Sequence, residues 1–141
     1  MPRILAVDFG ERRVGLALSD PRGMIATPLP TLTRRKGKRP PVAAVARVAE
    51  EHDVAELVIG LPLDLSGEES DWSREVRTFG DRLAERTGLP VAYQDERMTS
   101  VRAERAVRSL GLSKEKREQK ERVDAAAAML ILQAYLDQRK P

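Results

Sequence analysis

The sequence predicts an α/β fold, a mixed sheet of about five strands with helices on both faces. Three features point there. The runs Ile4-Leu5-Ala6-Val7 and Glu56-Leu57-Val58-Ile59-Gly60 are short and almost wholly apolar, as strands covered on both sides are. Apolar residues three and four positions apart recur at 72–83 and 127–135, the period of helices with one buried face. After residue 41 strands alternate with helices, the order in which right-handed helical crossovers join parallel strands.

The elements follow in chain order. After the first strand, Val14-Gly15-Leu16-Ala17-Leu18 gives a second, and Asp20-Pro21-Arg22-Gly23 has the Pro-second, Gly-fourth order of a type I turn. Residues 24–32 continue extended, but Pro28 and Pro30 have no N–H to donate, so this strand belongs at an edge. The tract 34–40 holds Arg34, Arg35, Lys36, Lys38 and Arg39 with no acid and no apolar residue, and predicts a mobile basic loop. Pro41 can open a helix with Val42, Val45 and Ala49 inward. Residues 56–60 form the next strand and 61–67 a loop. A second helix carries Trp72, Val76, Phe79 and Leu83 and ends at Gly88. Val91-Ala92-Tyr93-Gln94 is the last strand. Thr99 or Ser100 caps a helix with Val101, Val107 and Leu110 inward and Gly111 past its end. A final helix runs from near Ser113 to about Asp137. No repeat or linker divides the chain, so one domain over residues 1–141 with one core is expected.

Composition narrows the function. There is no apolar stretch of membrane-spanning length, and the start MPRILAVDFG lacks the pattern of a signal peptide, so a cytoplasmic protein is expected. The absence of Cys excludes disulfides, thiolate zinc sites and cysteine nucleophiles, leaving hard, oxygen-liganded metals. The net charge of +3 is unevenly spread. Residues 1–50 carry 10 Lys/Arg against 4 Asp/Glu, residues 51–100 carry 5 against 12, and residues 101–141 carry 10 against 6. Basic ends around an acidic middle suit a polyanion such as nucleic acid, with Arg34, Arg35, Lys36, Lys38 and Arg39 as backbone contacts. Lys114 to Arg122 reads as a solvated helical face. With five aromatic residues, and Trp72 and Phe79 on a core face, recognition through backbone and shape is expected in place of base stacking. Ser19, Ser66 and Thr99 lack His–Asp partners, and the lone His52 sits among charged neighbours, so a serine-hydrolase site is excluded. No apolar stripe marks an obligate protein partner.

Three sets of carboxylates stand at the ends of buried elements. Asp8 follows the first apolar run, Asp95-Glu96 follow the last strand, and Asp124 shares a helix face with Ala127, Ala128, Ile131 and Tyr135. Ligands of open α/β sheets gather beyond the carboxyl ends of strands, where Asp8 and Glu96 lie. A lone ionised carboxylate on the inward face of a helix costs several kcal/mol unless paired or metal-bound. A salt bridge to Arg97 or Arg122 would satisfy one such acid; acids from two strand ends and a facing helix favour a metal site. Magnesium or manganese suits it, and a pair of ions about 3.5–4 Å apart would serve phosphodiester displacement.

The stretches VDFGERRVGLALSD, VIGLPLDLSG, YQDERMTS and RVDAAAAMLILQAYL, in this order and over nearly the whole chain, resemble the YqgF/RuvX family. The resemblance implies an RNase H-like fold, related to the Holliday-junction resolvase RuvC, and a nuclease maturing the 5′ end of pre-16S ribosomal RNA. It places the family's acids on Asp8, Glu96 and Asp124. Ala127 stands where a four-acid resolvase site has another acid, so a second metal would be held less firmly or by Asp95. The alternatives are a Holliday-junction DNA resolvase and a non-catalytic RNA-binding ribosome-assembly factor. The Asp-x-Gly hairpin also opens actin-like ATPases and sugar kinases, but those close nucleotide between two such domains.

Overall fold

The computed structural model describes residues 3–34, 39–63, 66–96 and 114–139, with side chains of the last helix described from Ala126 onward. The chain runs β1 (Arg3–Phe9), β2 (Arg13–Ser19), β3 (Ala26–Thr33), α1 (Val42–Glu51), β4 (Val54–Leu61), α2 (Asp71–Thr87), β5 (Val91–Asp95) and α3 (Lys114–Arg139). The helix expected between Thr99 or Ser100 and Gly111 lies outside the described residues.

The five strands form one sheet in the order β3-β2-β1-β4-β5. The meander β1–β2–β3 is antiparallel, whereas β4 joins β1, and β5 joins β4, in parallel. The proline-bearing β3 is at the edge, as its missing donors require. At the β2–β3 turn the Gly23 N–H donates to the Asp20 carbonyl (2.9 Å), with Gly23 at φ 70. The Asp20 carboxylate accepts from the N–H groups of Met24 (2.7 Å) and Ile25 (3.0 Å). Those donors hold its carboxyl below the usual value of 3.8, the Ile25 bond contributing most.

Side chains alternate across the sheet, and the expected single core is therefore two. On one face Leu5, Val7, Phe9, Val14, Leu16, Leu57, Ile59 and Leu61 pack with Val45 and Ala49 of α1 and Val76, Phe79 and Leu83 of α2. On the other, Ile4, Ala6, Ala17 and Val58 lie under Ala127, Ala128, Ile131, Leu132 and Leu136 of α3. Alanines on both sides of this second layer let the helix approach closely. Helix α3 lies chiefly over β1, β2 and β3. Among the described residues Met24 and Ile25 are the exposed large apolar ones, beside Ala126, Met129 and Leu130 of α3.

Helix α2 is closed at both ends. Ser70 and Ser73 form a reciprocal cap, the Ser73 N–H donating to Ser70 Oγ (3.1 Å) and the Ser70 N–H to Ser73 Oγ (2.8 Å). Gly88 ends it in the left-handed conformation at φ 72. Tyr93 of β5 packs over Gly80, where a Cβ would collide with its hydroxyl. That hydroxyl donates to the Arg77 carbonyl (3.1 Å) and is pushed up to about 12 by burial, then by Asp81. No helix among the described residues is long and apolar enough to cross a membrane.

Candidate active site at the carboxyl edge of the sheet

Asp8 is the sixth residue of β1, fully buried, with Ala6 and Ile4 on its side of the strand, the side covered by α3. Across β1–β2 it pairs with Gly15. On the other flank Val7 pairs with Ile59, so the next β4 residue, Gly60, comes level with Asp8. Asp8 thus stands between two strands that carry no side chain at its height.

Glu96 fills part of that space. It follows β5 directly, its N–H donating to the Leu61 carbonyl at the end of β4 (3.2 Å), and it is 3% exposed. A Cβ built on Gly60 would collide with Oε1 of Glu96 and lie 2.5 Å from Cδ1 of Ile131. The Glu96 carboxylate therefore lies over Gly60, one strand from Asp8, a separation of about 4.8 Å between neighbouring backbones. Neither acid lacks a polar or electrostatic partner. Sequence reasoning missed Gly60; a glycine inside an otherwise apolar strand run is the signal of close approach that marks it.

Asp95 pairs with Leu61, whose side chain belongs to the α1/α2 core. The acid is thus the last residue of β5, half-buried and on the face away from Glu96. Asp124 belongs to α3; its side chain lies outside those described. The course of α3 is nonetheless fixed. Near its carboxyl end Tyr135 and Arg139 both bond Glu56, early in β4, while Ile131 meets Gly60, late in β4. The helix runs antiparallel to β4, and its earlier turns, with Asp124, lead toward the strand ends that hold Asp8 and Glu96. Among the described residues no three His, Asp or Glu side chains are grouped as metal ligands.

Of the basic tract, Arg35, Lys36 and Lys38 lie outside the described residues, and Arg39 is exposed. Arg34 departs from the mobile loop expected of it. Its backbone N–H donates to the Arg12 carbonyl (2.7 Å), its Nη1 to the Gly10 carbonyl (2.8 Å), and its guanidinium lies 4.6 Å from the centroid of Phe9. The aromatic face supplies a partner that the local sequence does not reveal.

Residues 2–138 match the RuvX family, described as a Holliday junction resolvase family. A protein of Koribacter versatilis (strain Ellin345), described as a candidate pre-16S rRNA nuclease, is 49% identical over 137 residues, 97% of this chain and 88% of that one. One of the same description from Anaeromyxobacter dehalogenans (strain 2CP-C) is 42% identical over 139 residues, 99% of both chains. Thermus thermophilus RuvC in complex with a Holliday junction substrate superposes with a TM-score of 0.56 at 16% identity, over 98% of this chain and 96% of that one. The fowlpox virus Holliday junction resolvase gives 0.53 at 13% identity, over 96% and 98%. The five-stranded mixed sheet with its helices is the RNase H-like fold.

Proposed function

Because the chain belongs to the RuvX family, we propose that it is a divalent-metal-dependent nuclease that hydrolyses phosphodiester bonds of precursor 16S ribosomal RNA in the cytoplasm. The observation that carries this reading is the Glu96 carboxylate over Gly60, one strand from the buried Asp8, at the carboxyl edge of the sheet. Two buried acids that flank one strand offer oxygens from two directions to a shared cation. Hard carboxylate oxygens without a thiolate or imidazole fit magnesium or manganese. Asp8, Glu96 and Asp124 would hold it, and the antiparallel course of α3 along β4 supports Asp124 as the third. Asp95, on the other face of β5, is left out of the set.

Bound there, the metal would supply Lewis-acid polarisation of the phosphodiester and activation of water. The chain's own part is to hold Asp8 on β1 and Glu96 just past β5, on either side of β4, so that little reorganisation is needed when the phosphate arrives. The basic segment Arg35, Lys36, Lys38 and Arg39, with Arg34 as its anchored base, would track the phosphate backbone. The family's description favours a second reading, resolution of four-way DNA junctions.

The test incubates wild type, Asp8→Asn, Glu96→Gln and Asp124→Asn with pre-rRNA fragments and four-way DNA junctions, each with magnesium, manganese or chelator. Metal-dependent cleavage of the RNA, lost in all three variants while their circular dichroism is unchanged, is expected. Cleavage confined to junctions would replace the substrate. RNA binding without cleavage under any metal would make the protein an assembly factor.

A further inference from the structure

A pocket opens at the same edge of the sheet as Asp8 but on its opposite side. Phe9 follows Asp8 in β1 and so points to the α2 face, where its ring stacks with Phe79 (centroids 4.2 Å apart, 11° between planes) and Trp72 (5.5 Å, 5°). Beside this stack Glu11 of the β1–β2 turn, Arg34 at the end of β3, and Trp72 and Glu75 of α2 line a pocket of about 370 Å³. That volume is within the range of small-ligand sites. Glu11 and Glu75 are exposed and, among the described residues, have no ion-pair partner. Arg34 is held over Phe9 by packing and by the Gly10 carbonyl, so its charge is not spent on either acid.

The chemistry of this lining selects its occupant. Two carboxylates against one guanidinium disfavour a phosphate group. They accept hydrogen bonds, and the ring system of Trp72 offers a flat apolar wall. Among the parts of a nucleic acid, a base meets these demands, and guanine meets them most fully. Its N1–H and N2 amino group form the paired donors that a carboxylate accepts, and its O6 and N7 are the acceptors that a guanidinium reads. Enzymes that take a base out of its stack read it in this way, by hydrogen bonds to its edge and by stacking on an aromatic wall.

Resting on the nuclease reading above, we propose that the pocket of Glu11, Arg34, Trp72 and Glu75 binds an unstacked guanine of the substrate near the phosphodiester to be cut. Asp8 and Phe9 are neighbours on one strand and point to opposite faces. A single strand crossing the end of the sheet can set its phosphate against the acids on one face and a nearby base in the pocket on the other. Base recognition by this pocket is absent from the expectation of shape-only recognition, which treated Trp72 as a core residue.

The protein carries its own reporter, since Trp72 is its only tryptophan. The experiment titrates guanosine, inosine, adenosine, cytidine and uridine 5′-monophosphates into the full chain in chelator, following Trp72 emission. Guanosine monophosphate is expected to give a saturable change, with inosine monophosphate, which lacks only the N2 amino group, binding about tenfold more weakly. Glu11→Gln with Glu75→Gln should abolish the preference for guanosine over inosine, while Asp8→Asn should leave it intact. In cleavage assays the double glutamine variant should lose its preference for sites beside guanosine and keep its metal requirement. No saturable change with guanosine monophosphate at millimolar concentration, equal responses to all five nucleotides, or an unaltered preference in the double variant overturns the proposal. A guanine response in a protein that cleaves nothing would leave the pocket standing and remove the nuclease reading. Cleavage without a guanine response would do the reverse.

Discussion

Gly60 carries more of the candidate site than its size suggests, because two other residues occupy the volume its side chain would need. Gly60→Ala must displace both Glu96 and Ile131. Overpacking of this kind costs about 1–3 kcal/mol of stability. We expect the variant to fold, to lose about tenfold or more in cleavage, and to show a smaller magnesium-induced rise in Tm than wild type, measured by paired thermal melts. Gly88→Ala is the control. It meets open space, carries only the strain of φ 72, and should lower stability by about 1 kcal/mol without touching cleavage. The two acids were legible in the sequence because strand ends are written in local apolar runs. Gly60 was not, since what makes a glycine necessary there arrives from β5 and α3. Arg34 shows the same limit: nothing within its basic tract discloses the ring of Phe9.

Among the elements, α3 has the most to hold in place, since it covers β1, β2 and β3 on one face of the sheet and bears Asp124. Its carboxyl end is tied to β4 by Tyr135 and Arg139, which meet on Glu56. Burial, and then the neighbouring Glu56 carboxylate, push the Tyr135 hydroxyl above its ordinary value. Tyr135→Phe removes the less exposed of these bonds and should cost about 0.5–1.5 kcal/mol in urea denaturation. Arg139→Ala, at a half-exposed pair, should cost less than about 1 kcal/mol. If the tether also sets the register of α3, Tyr135→Phe will raise hydrogen exchange along the helix before it affects the meander. Most elements could be read from the sequence, since the period of 3.6 and the solid apolar runs survive in the packed molecule. The cap of α2 could not, because Ser73 stands where the usual signature has Glu or Gln. The single core became two for a physical reason too: the same apolar strand supplies both faces, and composition does not say which residue points where.

For the molecule as a whole, stability should be flat near neutrality and fall at both extremes of pH for identifiable reasons. Asp20 has its carboxyl held low in the native turn, so its contribution is present above about pH 3.8 and is lost as pH falls through the lower native value. Tyr93 is raised from 10.0 to about 12, so its contribution is complete below pH 10 and is lost as pH climbs through the native value. Urea midpoints across the pH range should show Asp20→Asn with a shallower acid limb and Tyr93→Phe with a shallower alkaline one, each matching wild-type slope at the opposite end. A limb unchanged by its own variant would assign that loss to other groups.

The division of the sheet into two faces also has a consequence for biosynthesis. The meander β1–β3 is made of local pairings and can close as soon as it leaves the ribosome, but among the described residues the face bearing Ile4, Ala6 and Ala17 takes its cover from α3. With β3 ending at Thr33 and α3 beginning at Lys114, translation at about 5–20 residues per second leaves that apolar surface bare for several seconds. The same delay separates the candidate acids in time, because Glu96 follows β5 and Asp124 belongs to α3, both made well after Asp8. A nascent chain is therefore sticky until late in its synthesis, and its need for a chaperone should end at the moment α3 covers the sheet.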